Sequence, residues 1–124
     1  MNTFTITEKL PSLNEYTSKE RTNRFAGAKF KRDVQKLIAD YINEAKERGE
    51  LTPIETPVVV QFEWYEKTKR RDADNIASAK KFILDALVEQ HILIDDSRKY
   101  VRGFQDTIIN AKENKVIVTF LEVK

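Results

Sequence analysis

Five of the eight aspartates in this chain fall between Arg70 and Asp96, in the run RRDADNIASAKKFILDALVEQHILIDD. Two pairs stand out, Asp72 with Asp74 at the start and Asp95 with Asp96 at the end. Carboxylates crowded together repel one another unless a divalent cation lies among them. Ligation by oxygen alone, with waters left in place, is what Mg²⁺ takes when it works on phosphates, and Mn²⁺ is the expected substitute. The sequence has no cysteine and a single histidine, His91, which excludes thiolate sites and argues against zinc. A Mg²⁺ held by Asp72, Asp74, Asp95 and Asp96 would lower the pKa of a bound water and neutralise charge on a phosphodiester. Lys69, Arg70 and Arg71 precede the first pair and would hold a phosphate backbone. Lys81 or Lys80 could then stabilise charge that develops in the transition state.

Each residue also has a plainer role. Asp74 or Asn75 suits the N-cap of the following helix. Asp95 and Asp96 suit a turn after Ile94. Asp85 reads as a surface partner of Lys81 or Lys80, His91 as structural or exposed, and Trp64 and Tyr65 as core and rim.

These side chains need elements to position them. Thr3 to Thr7 alternates and predicts a short strand. Pro11 to Arg24 is polar and reads as a long connection. Phe30, Val34, Leu37, Ile38, Tyr41, Ile42 and Ala45 recur at helical spacing, and Gly49 marks the stop. Val58 to Trp64 is β-branched and aromatic, as in a central strand. Ile76, Ala79, Ile83, Leu84 and Leu87 predict a second amphipathic helix starting near Asp74 or Asn75, with Asp74, Ser78, Lys81 and Asp85 along one outward face. Tyr100–Phe104 and Lys115–Leu121 read as a final pair of strands. The order β-α-β-α-β-β gives an α+β domain, a small mixed sheet with two helices on one face. Its uncovered face or edge calls for polar residues or a second copy, so a homodimer is expected.

Chain geometry permits the acids to meet. A helix from Asn75 to Glu89 spans roughly 22 Å, and an extended return from Gln90 to Asp96 covers roughly 20 Å. A chain that doubles back along the helix would deliver Asp96 beside Asp74.

The bulk composition sets the frame. The 124 residues suit one domain over 1–124. No apolar run is long enough to span a membrane and no signal peptide is evident. The absence of cysteine fits a reducing compartment, and the cytoplasm is expected. Net charge is only +2, but the cations are clustered: Lys19, Arg21, Arg24, Lys29, Lys31 and Arg32 stand against the single acid Glu20 between residues 19 and 32. Such clusters on a small domain point to a polyanion.

The motifs R-R-D-A-D-N-I, K-K-F-I-L-D-A-L and I-L-I-D-D-S-R-K-Y-V, with the N-terminal TFTIT and L-P-S-L-N-E-Y, together resemble the RusA family of Holliday junction resolvases, small bacterial endonucleases often carried by prophages. The resemblance covers nearly the whole chain. It implies a dimeric, Mg²⁺-dependent enzyme of recombination and repair that cuts four-way DNA junctions symmetrically. It implies that Asp72, Asp74 and Asp96 are the essential acids, with Asp95 adjacent, and that Lys81 assists cleavage. The lysine stands three residues further from D-x-D-N than in the best-known member, close to one helical turn, which leaves Lys80 as an alternative. The Asn- and Tyr-containing loop adds Asn14 and Tyr16 to the DNA contacts, beside Arg21, Arg24, Lys29 and Lys31. Two rival readings are a non-catalytic nucleic-acid-binding module of phage origin and an interaction protein whose acidic patch is only a surface feature.

Overall fold

Alternation dictates the first strand. Phe4 and Ile6 are buried and Thr3 and Thr5 half-buried in β1 (Thr3–Ile6) of the computed structural model, which describes residues 2–123. The next segment departs from expectation. Much of the polar stretch after Pro11 is a helix, α1 (Leu13–Thr22), rather than an open connection. Ser12 is its N-cap and accepts a hydrogen bond from the Glu15 N–H at 3.2 Å. The S-x-x-E spacing of Ser12 and Glu15 was the missed signal. Asn23 ends α1 and starts the next helix: its N–H donates to the Lys19 carbonyl, and its side-chain oxygen accepts from Phe25 and Ala26.

Helix α2 (Arg24–Glu47) is the long amphipathic helix the periodicity predicts, with Val34, Ile38, Ile42 and Ala45 buried. It starts earlier than its apolar stripe, so residues 19–32 form a helix–turn–helix corner and not a loop. Gly27 is there for close approach: a Cβ would lie 2.9 Å from the Glu20 Cα, inside the van der Waals limit. Beyond α2, Gly49 takes φ +74° and the helix stops.

Strand β2 (Val58–Glu66) buries every second residue, including Phe62 and Trp64. Two short helices follow, α3 (Ala73–Ala77) and α4 (Lys80–Glu89), then β3 (Val101–Asn110) and β4 (Lys115–Glu122). The sheet order is β1-β4-β2-β3, mixed, with β3 parallel to β2 and β4 antiparallel to both β2 and β1. The last two strands, read from the sequence as a pair, are therefore not neighbours; β2 lies between them. The helices joining β2 to β3 bring the chain back to the starting end, which makes that pair parallel. The connection to β4 then crosses the end of β2, where Ala111 N–H donates to the Glu66 carbonyl at 3.0 Å and Lys67 N–H to Asn114 Oδ1 at 2.8 Å.

The inward residues of the sheet and the apolar faces of α2 and α4 form one core cluster, so both helices lie on one side of the sheet. The far face of β2 presents Val59, Gln61, Glu63 and Tyr65, each half-buried. The architecture is α+β.

Candidate functional site

The first acidic pair sits where β2 hands over to α3. Asp72 occupies the N-cap position with extended backbone, two to three residues earlier than the Asp74 or Asn75 start expected, and its carbonyl accepts from Ile76 N–H at 3.0 Å. Its carboxylate caps no backbone N–H among the described residues. Asp74 lies in the first turn, and its Oδ1 accepts from the Asn75 N–H at 3.0 Å. Both carboxylates are exposed. Asn75 Oδ1 is enclosed with no hydrogen-bond partner among the described residues, and such an acceptor calls for a water or an ion.

Arg71 explains how this turn is held. Its Nε and Nη2 lie 3.0 and 2.9 Å from Glu66 Oε1, and its Nη1 donates to the Leu10 carbonyl at 3.1 Å. Glu66 is 5% exposed and Arg71 14%, so the pair is internal. Arg71 thus points away from the surface assigned to it as a phosphate contact: a carboxylate buried at the end of β2 needs a cation, and Arg71 is within reach. Lys69 and Arg70 are exposed and carry no ion pair among the described residues.

The single outward face expected for Asp74, Ser78, Lys81 and Asp85 is broken. Ser78 Oγ turns inward, donating to the Asn75 carbonyl at 2.6 Å and accepting from the Leu13 N–H at 3.1 Å. Such back-bonding competes with the helix ladder. Ala79, Lys81 and Phe82 accordingly make tighter i to i−3 bonds, which separate α3 from α4.

The second pair comes back toward the first. Helix α4 ends with His91 at φ 61°. Ile92 N–H donates to the Leu87 carbonyl at 2.9 Å and His91 N–H to that of Val88 at 3.1 Å, a left-handed helix stop. Ile92 and Leu93 are then buried, and the return brings Asp96 Oδ2 to 3.6 Å from Lys81 Nζ in the first turn of α4. Asp95 forms the turn its neighbours suggested: Ser97 N–H donates to it at 2.7 Å, and hydrogen bonding by Ser97, side chain first and then backbone, holds its pKa below the usual value. Lys81 also bonds Asp85 at 3.0 Å. That hydrogen bond, then the charges of Asp85 and Asp96, raise the lysine's pKa. Asp85 is therefore the lysine's partner, as its helical spacing predicts.

The acids thus stand as two pairs. Among the described residues, no three His, Cys, Asp or Glu side chains gather where one ion could sit. The donor chemistry is nonetheless that of a hard cation, exposed oxygens with no sulfur. Mg²⁺ needs only one or two carboxylates when phosphate oxygens and waters complete its shell, and either pair could supply these. Beside the second pair lies a cleft of about 780 Å³, lined by Tyr16, Arg32, Gln35, Lys81, Asp85 and Asp96 among others.

The remaining candidates divide by location. Arg21 and Arg24 are exposed on the α1–α2 corner, and Asn14 is exposed in the first turn of α1. Lys29 is exposed but bonded to Asp33 at 2.7 Å, and Lys31 lies 4.0 Å from Asp85. Tyr16 packs against Phe30 and Phe82, with its hydroxyl donating to Glu20 at 2.9 Å, so its ring helps dock α1. Lys80, the alternative to Lys81, is bound elsewhere: its ammonium pairs with Asp106 on β3 and lies 4.7 Å from the Phe104 ring centre. Asp106 also accepts from Trp64 Nε1 at 2.8 Å. Sequence inspection missed this tie, because Lys80 and Asp106 meet only when β3 lies beside β2. It also missed Phe25, an aromatic among cations outside the apolar stripe, which is 82% exposed.

The fold and site define a small α+β domain with exposed carboxylates at a strand-to-helix turn and a cationic helical corner. Residues 8–120 match the family Endodeoxyribonuclease RusA. That is nearly the whole chain, and the protein belongs to this family of endodeoxyribonucleases. Comparison with curated proteins returns no match.

Proposed function

We propose that the protein is a Mg²⁺-dependent Holliday junction resolvase that acts as a homodimer on four-way DNA in recombination and repair. Family membership over residues 8–120 is the observation that carries this reading. Asp72 with Asp74, or Asp95 with Asp96, would hold the metal together with phosphate oxygens and waters, with Mn²⁺ an expected substitute. When bound, the ion activates water and neutralises phosphodiester charge. The chain does the rest. Lys69 and Arg70 bind backbone phosphates next to the acids, and Arg71 orients the turn that bears Asp72 and Asp74. Lys81 steadies Asp96 and, as a firmly protonated cation, stabilises negative charge on the phosphate. Arg21 and Arg24 grip a DNA arm through its backbone, which reads shape rather than base sequence.

A junction's approximate two-fold symmetry suits two copies, each cutting one strand. Supporting a dimer, β3 is a ten-residue edge strand with Phe104 to Thr107 exposed, and long edges of this kind need cover. Among the described residues no helix is long and apolar enough to cross a membrane, and the cytoplasm is where such an enzyme meets its DNA.

The separation of the acids into two pairs favours a second reading, a non-catalytic DNA-binding module of phage origin. A synthetic four-way junction incubated with Mg²⁺ or Mn²⁺ distinguishes them. Paired nicks by the native protein, abolished in Asp74→Asn with binding kept or tightened, support the resolvase. Binding without cleavage under any divalent ion supports the module.

A further inference from the structure

Phe25 is an apolar ring left in water, 82% exposed, in the first turn of α2. The fold does not use it. Its backbone N–H is capped by Asn23, and the aromatic packing between α1, α2 and α4 is made by Tyr16, Phe30 and Phe82. The ring's surroundings are cationic. Lys19 and Arg21 close α1, Arg24 opens α2, and the first turn of α2 carries no acid. Among the described residues no carboxylate pairs with Arg21 or Arg24.

Its direction links it to the cleft. Ala28 and Arg32, three and seven residues on and hence on the same side of α2, line the cleft that contains Lys81 and Asp96. Phe25 stands about 10 Å from Arg32 along the helix, roughly three nucleotide steps. An aromatic flanked by cations fits a base face beside phosphates. Within continuous duplex those faces are stacked; at a branch point the stack is interrupted. A second copy of this chain is the poorer occupant, because two-fold symmetry would press cationic corners together.

We propose that Phe25 stacks on a base at the branch point while Arg21 and Arg24 hold the adjoining phosphates, making it the residue that distinguishes branched from linear DNA. This rests on the branched-DNA reading above. The test is binding in EDTA to a four-way junction carrying 2-aminopurine at the branch, and to a linear duplex of the same sequence. Native protein is expected to raise 2-aminopurine fluorescence as the branch base leaves its neighbours. Phe25→Ala should lose that rise and bind the junction about 5- to 160-fold more weakly, the range for loss of one stacking aromatic, with duplex affinity unchanged. Phe25→Trp should retain junction affinity. Equal junction binding by native protein and Phe25→Ala overturns the proposal, as does a parallel loss on both DNAs. A changed sedimentation coefficient in Phe25→Ala with DNA binding intact would assign the ring to a protein contact and overturn it too. Native protein that fails to prefer the junction over the duplex defeats the branched-DNA reading itself, whatever Phe25 does.

Discussion

Replacing Arg71 with Met keeps much of the side chain's length and removes its guanidinium. The substitution strands Glu66, 5% exposed, and leaves the Leu10 carbonyl without its 3.1 Å donor. Breaking a buried ion pair by deleting one partner costs about 3–5 kcal/mol, because the surviving charge has neither water nor counter-ion. For a chain of this length the unfolding entropy makes each kcal/mol worth about 4 °C, so Tm should fall by about 12–20 °C. Urea unfolding followed by circular dichroism measures the loss, and its slope should be unchanged. Arg71→Met combined with Glu66→Leu removes both charges and should recover much of the deficit. The same variant distinguishes a positioning role from a phosphate contact. A lost phosphate contact lowers the slope of log affinity against log salt by about 0.9; a positioning residue leaves that slope alone while cleavage falls. A destabilisation below about 1 kcal/mol together with a reduced salt slope would refute the inward assignment of Arg71.

Three further outcomes follow from the geometry. Gly27→Ala should destabilise by about 1–3 kcal/mol in urea unfolding, since its Cβ meets the Glu20 backbone at 2.9 Å and outweighs the roughly 1 kcal/mol gain in helix propensity. Asp106→Ala should cost about 1–3 kcal/mol and shift the emission of Trp64, the sole tryptophan, because Trp64 Nε1 and the Lys80 ammonium both lose their acceptor. Asp95 is held below the usual carboxylate pKa, so what it adds to stability is present above its unfolded value and lost as pH falls through its lower folded value; NMR titration should find its midpoint under 3.8, and Ser97→Ala should move that midpoint upward.

The chain's local patterns were good guides where packing is periodic. The apolar stripe of α2 from Phe30 to Ala45 and the alternation of β2 announce themselves because a helix and a strand each bury a fixed repeat. The stop at Gly49 and the pairing of Lys81 with Asp85 are equally local. Helix α1 was missed for the converse reason. Only Leu13 and Tyr16 reach the core from it, so it lacks a full stripe, and its signature is the cap at Ser12 and Glu15. The break at Ser78 was hard to foresee because its hydroxyl, back-bonded to the Asn75 carbonyl, also accepts from the Leu13 N–H, sixty-five residues away.

Residue types and their spacing determined that any metal chemistry here is oxygen chemistry, that two acidic pairs flank a helical segment, and that cations crowd its approaches. Those facts are written one residue at a time. Which arginine faces the solvent, which lysine meets Asp96, and that β2 separates β3 from β4 were decided by tertiary structure alone. Each depends on long-range closure, where a buried Glu66 must find a cation and a helix stop at His91 aims the returning chain. Such choices are made by the free energy of burying charge and apolar surface together, and no stretch of sequence holds both halves of that balance.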